Sequence, residues 1–299
     1  MENPIEIRAL YSLSEMREAV ELQKSYWGDD AESVIPAHML FSLANHGGHV
    51  LVGMDGDNMA GVLVGFLGTN IEAADRPAMA NLHIISKRMV VLPAYRNRGL
   101  AYRLKLAQRD MAIKQGVRLV TWTFDPLLAP NAHLNIRKLG AVCPEFRENY
   151  YGTDSTGGLA ALGYSDRLVV EWWVTHRRVK ARLDSSRGDL TLQQYLQANT
   201  PILNPTQLTS DGVLRPAENA SLPSGSMALL EIPLDYSRMV GGNEALALAW
   251  REHARTMFKA VMSMGYIVTD FVRDHLEGRE RAFYLFSHGS PQFFDTSLN

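Results

Sequence analysis

The sequence predicts an α/β (α+β) chain, and three observations predict it. Extended and helical segments alternate in an irregular order, Asp55-Gly56-Asp57-Asn58 is a hairpin signal, and an apolar strand runs through an arginine-rich turn straight into an amphipathic helix over residues 86–101. At 299 residues the chain has room for two domains of about 150 residues, or one large domain with an appendage. A hydrophobic fraction of 46% and a charged fraction of 21% belong to an ordinary soluble protein. The net charge of −2 offers no bulk attraction to nucleic acid or an anionic membrane, so any anion site is local.

In chain order, Glu6 to Tyr11 reads as a strand. Ser12 or Ser14 can cap a helix to about Trp27, with Leu13, Met16, Val20 and Tyr26 near one face. A short helix follows over Ala37 to Ala44, closed by Gly47-Gly48, and then strands at His49 to Met54, Met59 to Gly68 and Leu82 to Val91. Leu100, Leu104, Ala107 and Met111 recur at helical spacing, with Arg103, Lys105, Arg109 and Lys114 mostly off that stripe, and Gly116 stops the helix. Val117 to Phe124 is a strand, Asn131 to Leu139 a short helix ended by Gly140, and Phe146 to Tyr151 and Asp166 to Val174 are extended.

Composition then shifts between Asp184 and Ser226 to Ser, Gly, Asn, Thr and four prolines, with one helix around Leu190 to Gln197. A strand at Met227 to Pro233, a helix from about Glu244 to Met264 capped by Asn243, and strands at Tyr266 to Val272 and Ala282 to Ser287 complete the pattern. We expect a first domain over residues 1–180, a connecting segment over 181–226 and a smaller C-terminal α/β region over 227–299. That region can extend the first sheet, form its own layer, or be a degenerate half of the same fold.

The turn Arg96-Asn97-Arg98-Gly99-Leu100-Ala101 places two arginines beside the unpaired N–H groups of a helix N-terminus, an arrangement suited to a pyrophosphate. Its Arg-x-x-Gly-x-Ala pattern sits between a strand and an amphipathic helix. Further on come Trp122-Thr123-Phe124-Asp125-Pro126-Leu127, Lys138-Leu139-Gly140-Ala141, Tyr151-Gly152, Ser165-Asp166-Arg167-Leu168 and Glu171-Trp172. Together these resemble the GNAT superfamily of acyl-CoA-dependent N-acyltransferases, in a bacterial branch with an extra C-terminal region. The resemblance implies a central mixed, mostly antiparallel sheet flanked by helices, and acetyl-CoA or another acyl-CoA as cofactor. Backbone groups of Met89, Val90 and Val91 would pair with the pantetheine arm, and N–H groups from Arg96, Asn97, Arg98, Gly99, Leu100 and Ala101 would hold the diphosphate. Asn131 would meet the pantetheine or the adenosine, or serve only as a helix cap.

Acyl transfer to an amine needs a neutral nucleophile, a stabilised oxyanion and a proton for the departing thiolate. The resemblance points to the amide near Met89 or Val90 for the oxyanion. Superfamily members often carry a tyrosine before the Lys-Leu-Gly turn as the acid, and here that position is Ile136. Tyr150 and Tyr151 are the nearest replacements, and His83, Glu171 and Asp125 are candidate bases or acceptor contacts. Tyr150 and Tyr151 can equally be core aromatics, and a lone histidine on an apolar strand can be a satisfied structural residue.

An acceptor with a carboxylate needs a cation, for which Arg167, Arg88 and Arg251 are candidates. His46-x-x-His49 lacks further ligands, so no metal is expected, and Cys143 reads as a buried structural thiol. Gly157-Gly158 reads as a loop free to act as a lid.

The expected function is acetyl or succinyl transfer to the amine of a small metabolite such as an amino acid. Two alternatives stay open: a non-catalytic CoA-binding module, and an aminoacyl-tRNA-dependent transferase with paired folds of this kind. Partners are a small-molecule amine, with neither nucleic acid nor membrane, and a homodimer is an open option. A single cysteine and the lack of a basic, then apolar, leader favour the cytoplasm.

Overall fold

The structure, a computed structural model, describes residues 5–29, 33–69, 77, 81–152, 162–186, 188–209 and 212–288. The described residues of Met1–Trp122 and Trp172–Lys180 form one compact unit, and those of Thr123–Thr156, Ala160–Glu171 and Ala181–Asn299 a second.

The first unit holds β1 (Glu6–Ala9), α1 (Leu13–Trp27), α2 (Ala37–Asn45), β2 (His49–Asp55), β3 (Asn58–Thr69), β4 (Leu82–Val91), α3 (Leu100–Lys114) and the start of β5 (Leu119–Phe124). Its strands lie in chain order, with β1 to β4 antiparallel neighbours and β5 parallel to β4. Ser12 caps α1 in a reciprocal box with Glu15. One sheet face carries Val50, Val52, Val62, Val64 and Val90 against Met16, Ala19 and Leu40 of α1 and α2. The other carries Leu51, Leu63, Met89 and Val91 against Leu100 and Leu104 of α3. The alternation of β4 residues between these faces follows from the two-residue period of a strand.

One expectation for α3 is corrected. Lys105 does not lie off the core stripe; it is 2% exposed, and Gln108 beside it is fully buried. The helix therefore continues its buried face with polar side chains, which a search for apolar periodicity passes over.

The second unit contains α4 (Ala129–Ala132), a π-helical segment (His133–Lys138), β6 (Val142–Arg147) and most of β7 (Arg167–Trp173). After α5 (Arg177–Leu183) come α6 (Leu192–Gln197), the two-residue strands β8 (Gln207–Leu208) and β9 (Leu214–Arg215), and β10 (Met227–Ile232). It closes with α7 (Tyr236–Gly242), α8 (Glu244–Ser263), β11 (Tyr266–Leu276) and β12 (Arg279–His288). Its main strands run in the order β7-β6-β11-β12-β10, all antiparallel. Val268 pairs with Cys143, so the C-terminal hairpin joins β6 in one sheet. Asn243 caps α8 by accepting from the Leu246 N–H at 3.1 Å, as its sequence predicts.

Two further expectations are corrected. Tyr150 and Tyr151 are not on a strand: β6 ends at Arg147, and Asn149 turns the chain with a φ of 43°. The Asn149 N–H donates to Asp166 Oδ1 at 3.1 Å and the Tyr151 N–H to Ser165 Oγ at 3.1 Å, which fixes the turn. Asn131 does not open a helix either. Leu128 occupies the N-cap position, Pro130 follows in the first turn, where its missing N–H costs no bond, and Asn131 is exposed one residue later.

Candidate functional site

The sequence-derived cofactor residues of β4 and its turn lie in the first unit. β3 pairs with β4 from Thr69↔Leu82 to Gly61↔Val91, with a register shift that skips Lys87 between Val64↔Arg88 and Gly65↔Ser86. Lys87 is therefore the extra residue of a β-bulge. Among the described residues, β4 pairs with β5 only at Ile84↔Val120 and Ile85↔Thr121. Beyond Ile85 the two parallel strands part, and the β5-facing edge of β4 through Met89, Val90 and Val91 is left without that ladder.

The chain then makes one 3₁₀ turn over Pro93–Tyr95 and enters α3 through Arg96, Asn97, Arg98 and Gly99, all exposed. Asn97 and Gly99 hold left-handed conformations, φ 60° and 76°, and α3 begins at Leu100 and Ala101 with no side-chain cap. A Cβ placed on Gly99 would meet nothing within 4 Å. Glycine is needed there for its backbone conformation and not for want of room. Arg96 is anchored by a 3.2 Å bond from its Nε to the Val91 carbonyl and lies 5.3 Å from the Tyr26 ring. Arg98 lies 5.9 Å from the Tyr95 ring, whose hydroxyl donates to Asp55. The turn thus carries two guanidinium groups stacked on aromatic faces beside an uncapped helix N-terminus.

His83, also in this unit, is half-buried with Nδ1 3.2 Å from the Asn81 carbonyl. Arg88 lies 4.9 Å over the Trp27 ring. His49 is not placed as a metal ligand, because its Nε2 is 2.8 Å from Gln108 Nε2 and it is buried.

The second unit holds the remaining candidates. Asp125 and Arg251, singled out for acceptor contacts, bind each other: Arg251 donates from Nη1 to Oδ1 at 2.8 Å and from Nη2 to Oδ2 at 2.5 Å. The third donor of that guanidinium, Nε, reaches Tyr236 Oη at 3.3 Å. Burial works against the Arg251 charge, but the Asp125 carboxylate more than offsets it and the net effect raises the pKa. The same carboxylate accepts the Leu127 N–H, so the pair fixes the turn that follows β5. Reading Arg251 as a free cation for an acceptor carboxylate is therefore corrected, since Asp125 already takes two of its N–H groups bidentately and Tyr236 a third within the unit.

Arg167 is buried, donates to the Asp166 carbonyl at 2.8 Å and lies 5.2 Å over the Tyr151 ring. Tyr150 is 41% exposed and meets Tyr151 edge-on, with ring centroids 4.9 Å apart. Asp166, which holds the Asn149 turn, is paired in turn with Arg255. Glu171 lies on β7 opposite Val142. Burial, with Glu171 adding to it, pushes the Cys143 thiol well above its ordinary range, so it is protonated and inert at neutral pH. Ile136 is fully buried and carries no ionisable group. Gly157-Gly158 lies outside the described residues.

Two histidines make the stability pH-dependent. Burial, and then the charge of Lys105, brings His49 down from 6.5 to about 4; burial with Lys138, Arg273 and Arg137 does the same for His133. Between these values the unfolded chain takes up protons that the folded chain refuses, so stability is full above about pH 6.5 and falls as pH drops toward 4. For His49 alone the loss is up to about 3 kcal/mol. Urea midpoints measured at pH 7 and pH 5 should differ in that direction; identical midpoints contradict it.

Residues 13–140 match the family described as Acetyltransferase (GNAT) family. No curated protein matches the chain. Among solved structures, the ribosomal-protein-S18-alanine N-acetyltransferase from Escherichia coli is 16% identical, covers 57% of this chain and 95% of its own, and has a TM-score of 0.42. The yncA structure from Salmonella typhimurium, with its cofactor acetyl-CoA, gives 14%, 58%, 97% and 0.44. An acetyltransferase of the GNAT family from Streptococcus pneumoniae gives 15%, 56%, 97% and 0.42.

Proposed function

We propose, for a chain whose residues 13–140 belong to the GNAT acetyltransferase family, the transfer of an acyl group, acetyl or succinyl, from coenzyme A to the amine of a small metabolite such as an amino acid. The observation that carries this reading is the continuous path in the first unit from the parted edge of β4 to the uncapped start of α3. An open strand edge offers N–H and C=O groups to an extended arm that carries amides. A helix N-terminus beside two arginines offers donors and positive charge to a diphosphate.

In the reaction the neutral amine attacks the thioester carbon, a C–N bond forms, the C–S bond breaks, and the thiolate leaves with a proton. A β4 amide near Met89 or Val90 is assigned to the oxyanion and His83 to proton transfer, all within the first unit. Among the described residues no helix is long and apolar enough to cross a membrane.

Incubation with acetyl-CoA or succinyl-CoA and a panel of amino acids should release free thiol and yield an acylated amine by mass spectrometry. Absence of thiol with every pair removes the reading. A second reading, CoA binding without turnover, is favoured by the buried Ile136 at the expected tyrosine position. Tight CoA binding by calorimetry with no product from any pair selects it.

A further inference from the structure

Beneath α3 a row of polar groups crosses the first unit's sheet. His49 on β2, Gly65 on β3 and Ser86 on β4 are lateral neighbours, paired His49↔Gly65 and Gly65↔Ser86. Lys105 and Gln108, one helical turn apart, lie along this row. Lys105 Nζ donates to Ser86 Oγ at 2.8 Å and to Gln108 Oε1 at 3.4 Å, and stands 3.5 Å from the Trp122 ring centroid. Gln108 in turn meets His49. All four side chains are buried. Gly65 makes room for them, since a Cβ there would stand 2.5 Å from His49 Cε1 and 2.7 Å from Gln108 Nε2.

Among the described residues, no carboxylate partners Lys105. Burial lowers its pKa well below the ordinary range, against which stand the face of Trp122 and the acceptor oxygens of Ser86 and Gln108. An aliphatic side chain would fill this place without the cost of burying an amine. What the amine holds is Ser86, and Ser86 occupies a singular point of the fold. It is the last β4 residue before the Lys87 bulge and the first beyond the final β4–β5 pair.

We propose that Lys105 is a positioning residue for acyl transfer: through Ser86 Oγ it fixes the bulge at Lys87, and with it the direction of the β4 peptide groups that follow. This rests on the acyl-CoA reading, in which those groups bind the pantetheine and stabilise the oxyanion. Gln108 and His49 complete the row by orienting the amine from its other side.

Steady-state kinetics with acetyl-CoA and the amino-acid panel test it, using Ser86→Ala, Ser86→Thr, Lys105→Met and the double variant Ser86→Ala with Lys105→Met. Misdirected peptide groups should lower kcat at least about tenfold in Ser86→Ala and in Lys105→Met, any rise in KM for acetyl-CoA accompanying that loss and not replacing it. Ser86→Thr keeps the hydroxyl and should retain kcat. The double variant should be no slower than Lys105→Met, because both changes cut one link. An active wild type whose Ser86→Ala variant keeps its kcat, or loses only KM, overturns the inference alone, as do losses that multiply in the double variant. If Lys105→Met does not fold, the smaller Ser86→Ala and Ser86→Thr pair decides. A wild type that releases no thiol overturns the acyl-transfer reading and this inference together.

Discussion

Replacing Gly99 by valine is expected to weaken CoA binding at least about tenfold, the equivalent of about 1.4 kcal/mol, with the fold retained. The position has a φ of 76°, and a Cβ placed there would meet no other part of the protein within 4 Å. A β-branched residue meets two penalties there. It strains a left-handed backbone, and it fills the space from which a diphosphate would reach the first N–H groups of α3.

Gly116 supplies the control, because its φ of 72° and open surroundings impose the same backbone strain at the other end of the same helix. Gly116→Val should lose stability and keep CoA binding. Calorimetric titration of both variants separates strain from obstruction. Equal affinity in Gly99→Val and wild type contradicts the assignment of the turn to the cofactor.

Arg251→Met should destabilise the second unit by about 3 to 5 kcal/mol, since it strands the Asp125 carboxylate beside the space the guanidinium filled. Arg251 is 1% exposed and makes three donor contacts, two to Asp125 and one to Tyr236. Asp125→Asn on the Arg251→Met background removes the orphaned charge, so part of the loss should return, and that recovery is the signature of a buried pair. A loss under about 1 kcal/mol in the urea transition of Arg251→Met would mean that the pair is solvated and ordinary.

The two variants differ in how far their sites were legible. The Gly99 turn was readable because its determinants are local: an apolar strand, two arginines, a glycine and an amphipathic helix follow one another directly along the chain, and each acts on its immediate neighbours. The Arg251 pair was not, because Asp125 lies 126 residues away and each residue alone has the look of a surface charge. Tyr150 and Tyr151 have strand-forming residues behind them, yet side chains from Ser165 and Asp166 bend that segment into a turn. Lys105 and Gln108 break the apolar stripe of α3 by type while obeying it by position. Only the sight of Ser86 and His49 beneath them explains why polar groups are tolerated there.

The sequence by itself determined the mixed α/β class, the main strands and helices of both units, and the strand, turn and helix that point to an acyl-CoA donor, because periodicity, caps and glycine conformation are short-range effects. The tertiary structure alone decided that β4 parts from β5 after Ile85, that Lys87 is a bulge, that Val268 joins the C-terminal hairpin to Cys143, and that Asp125 is held by Arg251. These depend on which strands become neighbours and which charges are buried together. Such pairings are set by burial free energy summed over the whole unit, and no local pattern encodes them.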